Sequence, residues 1–72
     1  MNRFKRARLI RGITQTELAE ELGVSVVTVS KWELNRSFPR AKRLKKVADV
    51  LHTTVPDLLK EQERRSADGS AS

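Results

Sequence analysis

Two basic runs and a short set of outward-facing residues are what this chain offers for chemistry. Residues 1–11 hold Arg3, Lys5, Arg6, Arg8 and Arg11 without an acid, and residues 36–46 hold Arg36, Arg40, Lys42, Arg43, Lys45 and Lys46, again without one. Acids gather instead at Glu17, Glu20 and Glu21. Between the basic runs, Thr28, Ser30 and Lys31 supply hydroxyl and ammonium donors beside the methyl groups of Val26 and Val27. Clustered cations of this kind attract polyanions. The bland alternative is a set of solvated helical faces, although a generic surface mixes its signs more evenly. Catalysis finds little support. There is a single histidine, His52, no cysteine, no glycine-rich phosphate loop and no metal-ligand spacing, so an enzyme, a bound metal and a cofactor are all unexpected.

Length sets the scale of what must position these groups. Seventy-two residues permit one small domain with a limited core and no deep substrate cleft. Without disulfides or thiolate sites, such a domain relies on compact helix packing, often helped by a partner subunit. Net charge is +6. The basic start MNRFKRARLIRG has no long apolar run behind it, so it is not a secretory signal, and nothing approaches transmembrane length. The expected setting is the cytoplasm of a bacterium, encoded by host, phage or plasmid, with no membrane partner.

The central stretch Thr14 to Glu33 organises the rest. Thr14 and Glu17 have the spacing of a capping box, so a helix begins near Gln15. Leu18, Ala19 and Leu22 form its apolar stripe, and Gly23 can take the left-handed conformation that ends it. Ser25 is the next natural N-cap. The helix that follows, about Val26 to Leu34, turns Val29 and Trp32 inward and leaves Val26, Val27, Thr28, Ser30 and Lys31 as outward candidates. Two short helices and the turn Gly23-Val24-Ser25 make a helix-turn-helix, and beside it the nucleic-acid reading of the basic runs prevails.

The flanking segments read as three further helices. The first spans about Asn2 to Arg11, with Phe4, Ala7, Arg8 and Arg11 on one side and Leu9 and Ile10 unplaced, one of them exposed or serving a subunit contact. Gly12 closes this helix, and Ile13 before the Thr14 cap can staple onto Leu18. Asn35 can end the third helix in the left-handed region, and Phe38, held out of helix by Pro39, is expected to plug the gap between the third and fourth helices. The fourth, about Ala41 to Leu51, buries Leu44, Val47, Ala48 and Leu51. His52 reads as its C-terminal cap. Thr54 with Asp57 looks like a second capping box, and Val55, Leu58 and Leu59 form the short apolar face of a fifth helix. Beyond Lys60 the segment EQERRSADGSAS loses apolar periodicity. The expected organisation is therefore a domain over 1–60 and a polar, fraying tail over 61–72.

Gln15, Glu17-Leu18-Ala19, Leu22-Gly23-Val24-Ser25 and Thr28-Val29-Ser30-Lys31-Trp32-Glu33 together resemble the Cro/phage-repressor type of helix-turn-helix, also called the Xre family. The resemblance extends from about Phe4 to Leu59. It implies an all-α fold, a compact bundle of about five short helices like that of lambda repressor, and binding to double-stranded DNA. Val26, Val27, Thr28 and Lys31 match the positions that face base edges in the major groove. The family often has glutamine, arginine or serine at the first two; valines can only pack on thymine methyl groups, whereas Lys31 can donate to guanine O6 and N7. Either valine could instead turn into the core. Thr28 can reach a base or a phosphate.

Backbone contacts are expected from Gln15, which the family uses on a phosphate at the start of the second helix, and from Thr14, Ser25, Ser30, Arg36, Ser37, Arg40, Lys42 and Arg43. Trp32 reads as core by its spacing from Val29, with an indole N–H that still needs a partner, a phosphate being one option. The resemblance also implies a structural ion pair between Arg8 and Glu33. The function expected is transcriptional regulation, more in the manner of a repressor than an activator, by a homodimer on a palindromic operator. Two other readings compete: an antitoxin that also binds a toxin, and a protein-interaction adaptor that kept the fold. The polar tail weighs against the first; Gln15, Lys31 and the loop arginines weigh against the second.

Overall fold

The computed structural model describes residues 1–69, with side chains through Glu63. Five helices follow in order: α1 (Arg3–Arg11), α2 (Gln15–Leu22), α3 (Val26–Glu33), α4 (Ala41–Val50) and α5 (Val55–Gly69). No strand occurs among the described residues. Each of the first four helices ends in the same way. A residue one or two positions past the helix takes a left-handed backbone (Gly12 and Gly23 directly after α1 and α2, Asn35 and His52 one residue further on after α3 and α4), and the next N–H reaches back five residues: Ile13 to Arg8, Val24 to Ala19, Arg36 to Lys31 and Thr53 to Ala48, each onto the carbonyl oxygen. This six-to-one closure satisfies carbonyls the helix itself leaves orphaned. Asparagine tolerates that conformation; histidine does so less readily, and His52 holds it at φ 56°.

Helix starts are less uniform. Asn2 Oδ1 accepts from the Lys5 N–H, Thr14 and Glu17 form a complete capping box, Ser25 Oγ accepts from the Thr28 N–H and Thr54 Oγ1 from the Asp57 N–H. Only half of the second expected capping box is present. The Asp57 carboxylate turns to the Thr53 hydroxyl and the Arg3 guanidinium rather than back to Thr54, because a cation lies within reach. The start of α4 has no side-chain cap at all, its N-cap being Arg40.

Around these ends packs one apolar core of Phe4, Leu18, Ala19, Leu22, Val29, Trp32, Leu44, Val47, Ala48, Leu51 and Leu58. The helix-turn-helix α2–α3 is backed by α1 against α3 and by α4 against α2, while α5 lies on α1 and α4 and closes the core. Phe38 packs against the core from the loop between α3 and α4. It meets the Phe4 ring edge-on, centroids 5.7 Å apart, so the loop after α3 is anchored on α1. Leu9 and Ile10 are both exposed.

The ordered body also reaches past Lys60. Glu61 is 1% exposed, with Oε2 accepting from the Arg3 N–H and Oε1 from Asn35 Nδ2. A polar residue is buried here because α1 and the turn after α3 present it with donors, which periodicity of apolar residues does not register. Residues 70–72 of the expected tail lie outside the described residues.

Candidate nucleic-acid interface

The candidate interface centres on α3, whose C-terminal end is held by side chains from other helices. Arg8 and Glu33 are both buried and meet as a two-pronged ion pair, Nε to Oε2 at 2.6 Å and Nη2 to Oε1 at 3.1 Å. Arg8 Nη1 also donates to the Ile13 carbonyl at 2.9 Å. The hydrogen bond to Glu33 raises the guanidinium pKa above the ordinary arginine value; burial opposes this and the carboxylate charge adds to it. At the same end of α3, Asn2 Nδ2 donates to the Trp32 carbonyl at 2.6 Å, and Asn35 is held by Glu61 of α5. Asn2 and Glu61 are the positioning residues that sequence reasoning passed over. Asn2 had a legible signal, an asparagine directly before the helix pattern. Glu61 had none.

The residues expected to face bases divide by accessibility. Val26 is 40% and Val27 58% exposed, so neither has turned into the core. Lys31 is exposed and makes no hydrogen bond within the described residues. Thr28 is half-buried, its hydroxyl 3.1 Å from that of Ser25, so the cap already engages it. Val29 and Trp32 face inward.

Several of the residues expected on the backbone already have internal partners. Gln15 Nε2 donates to Glu33 Oε1 at 2.9 Å, joining the buried pair and leaving the amide with one N–H and its oxygen in hand. The Thr14 and Ser25 hydroxyls serve as caps. Arg43 Nη1 donates to the Leu22 carbonyl at 2.8 Å, closing the end of α2 while other N–H groups of the fork stay open. Arg36, Arg40 and Lys42 are exposed, Ser30 and Ser37 half-buried, and none of the five has a side-chain hydrogen bond among the described residues.

Beside α3 opens a cleft of about 640 Å³, lined by Val24, Thr28, Trp32 and Pro39 together with Arg40, Lys42, Arg43 and Lys46. It brings Arg40, Lys42 and Arg43 to one cleft, and adds Lys46, one turn after Lys42 on the same face of α4. That i, i+4 spacing was the available signal. No group of three or more His, Cys, Asp or Glu side chains is placed to hold a metal ion among the described residues. No described helix is long and apolar enough to cross a membrane.

Comparison with known proteins places the chain in a family. A helix-turn-helix family of the Cro/C1 type matches residues 4–58, well over half of the chain. The chain is 33% identical over 61 residues to the HTH-type transcriptional activator BcrR of Enterococcus faecalis, covering 85% of this chain and 30% of that protein. It is also 33% identical over 45 residues to the cryptic phage CTXphi transcriptional repressor RstR of Vibrio cholerae serotype O1, covering 62% of this chain and 40% of that one. The chain thus spans less than half the length of these curated relatives. No solved structure matches it significantly.

Proposed function

The chain belongs to the helix-turn-helix family of the Cro/C1 type, and from that premise we propose that it is a sequence-specific double-stranded DNA-binding transcription regulator, a repressor that acts as a homodimer on a palindromic operator. The observation that carries this reading is a rigidly held α3 whose outer face, Val26, Val27 and Lys31, is exposed and, in Lys31, unpartnered. A helix eight residues long reads only a few base pairs. Doubling the site about a dyad is how such a domain gains useful selectivity.

Repression needs no more than occupancy of the operator, and RstR is named a repressor. BcrR is named an activator, so the sign of regulation is itself an outcome of the test.

Selection of bound sites from random duplexes, followed by footprinting, tests the proposal. Palindromic sites are expected, with half-site centres roughly 34–36 Å apart. About four to six neutralised phosphates give a log–log salt slope of roughly −4 to −5. A salt-independent affinity would remove DNA as the partner, and asymmetric single sites would remove the dimer. Placing the selected site over a promoter then gives the sign: lower transcription supports repression, higher transcription overturns it.

A further inference from the structure

The cleft beside α3 holds polar groups that the protein itself leaves unsatisfied. Trp32 is 4% exposed, yet its indole Nε1 donates to nothing within the described residues. Every fully buried side-chain nitrogen and oxygen among those residues has a partner, so this N–H keeps some exposure to solvent, and Trp32 is one of the residues that line the cleft. Arg40, Lys42 and Lys46 line the same cleft, and no carboxylate does. The first turn of α4 enters the same lining with no side-chain cap and no acid. Cations at a helix N-terminus oppose the helix dipole, so this arrangement costs stability until an anion joins it.

Resting on the DNA-binding reading above, we propose that this cleft seats one phosphodiester of the duplex backbone, with the Trp32 indole N–H donating to a phosphate oxygen and Lys46 neutralising the charge. A base is the wrong occupant, because the indole ring is buried and offers no face for stacking. A phosphate oxygen suits both a lone N–H donor and the uncapped turn. Trp32 lies on α3 itself, so this bond sets how deeply the recognition helix enters the groove.

The protein has one tryptophan, so its indole N–H gives a single resonance in a nitrogen–proton correlation spectrum. A mixed-sequence duplex should move that resonance downfield and slow its exchange with water. Trp32→Phe keeps a ring in the core but removes the donor together with the pyrrole half of the indole; it should weaken every duplex about tenfold. The ranking of sequences should persist, since a phosphate contact does not read bases. Lys46→Gln, at an exposed position, should lower the salt slope by about one and keeps the test open if Trp32→Phe fails to fold.

A duplex that binds with steep salt dependence while the indole resonance stays still would overturn the subsite and leave DNA binding intact. Absence of binding to any duplex would overturn both. If inorganic phosphate at millimolar concentration shifted the resonance and duplex DNA did not, the site would be one for a free anion, and the backbone assignment would be wrong.

Discussion

The two sides of α3 are built on opposite terms. On the inner side, Glu33 accepts from Arg8 and Gln15, the Trp32 carbonyl accepts from Asn2, and the turn at Asn35 is held by Glu61, so three polar groups near this end are held by four residues of α1 and its cap, α2 and α5. On the outer side, Val26 and Val27 lie open and Lys31 has no partner among the described residues. A buried polar network that is fully satisfied rigidifies the elements it joins. An exposed side chain without partners keeps its donors and methyl groups for a ligand. The contrast assigns cost as well as role: changes on the inner side should be read in folding, changes on the outer side in binding alone.

The largest effect is therefore expected at the inner pair. Arg8→Ala or Glu33→Ala strands a buried charge and should destabilise the domain by about 3–5 kcal/mol, measured by denaturant unfolding. Glu33→Ala should be the more damaging, since it also strips an acceptor from Gln15. The double mutant should recover part of the loss, because no charge is left unpaired. Small, additive effects would mean that the inner side is no more constrained than the outer, and the comparison would fail.

Local rules made most of the fold legible. Thr14 with Glu17, Ser25, Gly23 and Asn35 are chemically suited to the cap positions they occupy, and their spacing fixed where α2 and α3 begin and end. Contacts between elements distant in sequence were less legible. Phe38 lies on Phe4, Asp57 turns to Arg3 and Glu61 reaches Asn35, each across 26 or more residues or between helices whose relative placement the sequence pattern does not state. In the interface, the sequence separated inward from outward residues on α3, leaving the valines open; exposure places both outside. Spacing could not reveal that Gln15, Arg43 and the Thr28 hydroxyl already carry internal bonds.

A smaller effect is expected on the outer side, and without loss of stability. Lys31 is the one long donor on the outward face of α3, so Lys31→Ala should cost about 1–3 kcal/mol on the best duplex, with preference relaxed at one base pair per half-site. The unfolding midpoint should stay where it is, because Lys31 holds nothing in place. Arg40→Glu provides the contrast within the interface. It should weaken all sequences alike, as a phosphate contact does. If Lys31→Ala also lowered affinity equally for every duplex, lysine would belong with the backbone contacts.

The smallest effect isolates the valines. Val26 and Val27 cannot hydrogen-bond to a base, and their exposure leaves apolar surface that a thymine C5-methyl group can cover. Replacing thymine by uracil deletes that methyl group and no hydrogen-bonding atom of the base pair. Burial of one methyl is worth up to about 0.8 kcal/mol, so each thymine touched by a valine should lose roughly two- to fourfold in affinity when changed to uracil. The loss should vanish in Val26→Ala,Val27→Ala, whose affinity for the uracil duplex should equal that for the thymine duplex. Competition binding on matched duplexes resolves differences of this size. Uracil that is neutral at every thymine of the selected site would mean that the two valines, though exposed, touch no base, and the reading face of α3 would shrink to Lys31 and its neighbours.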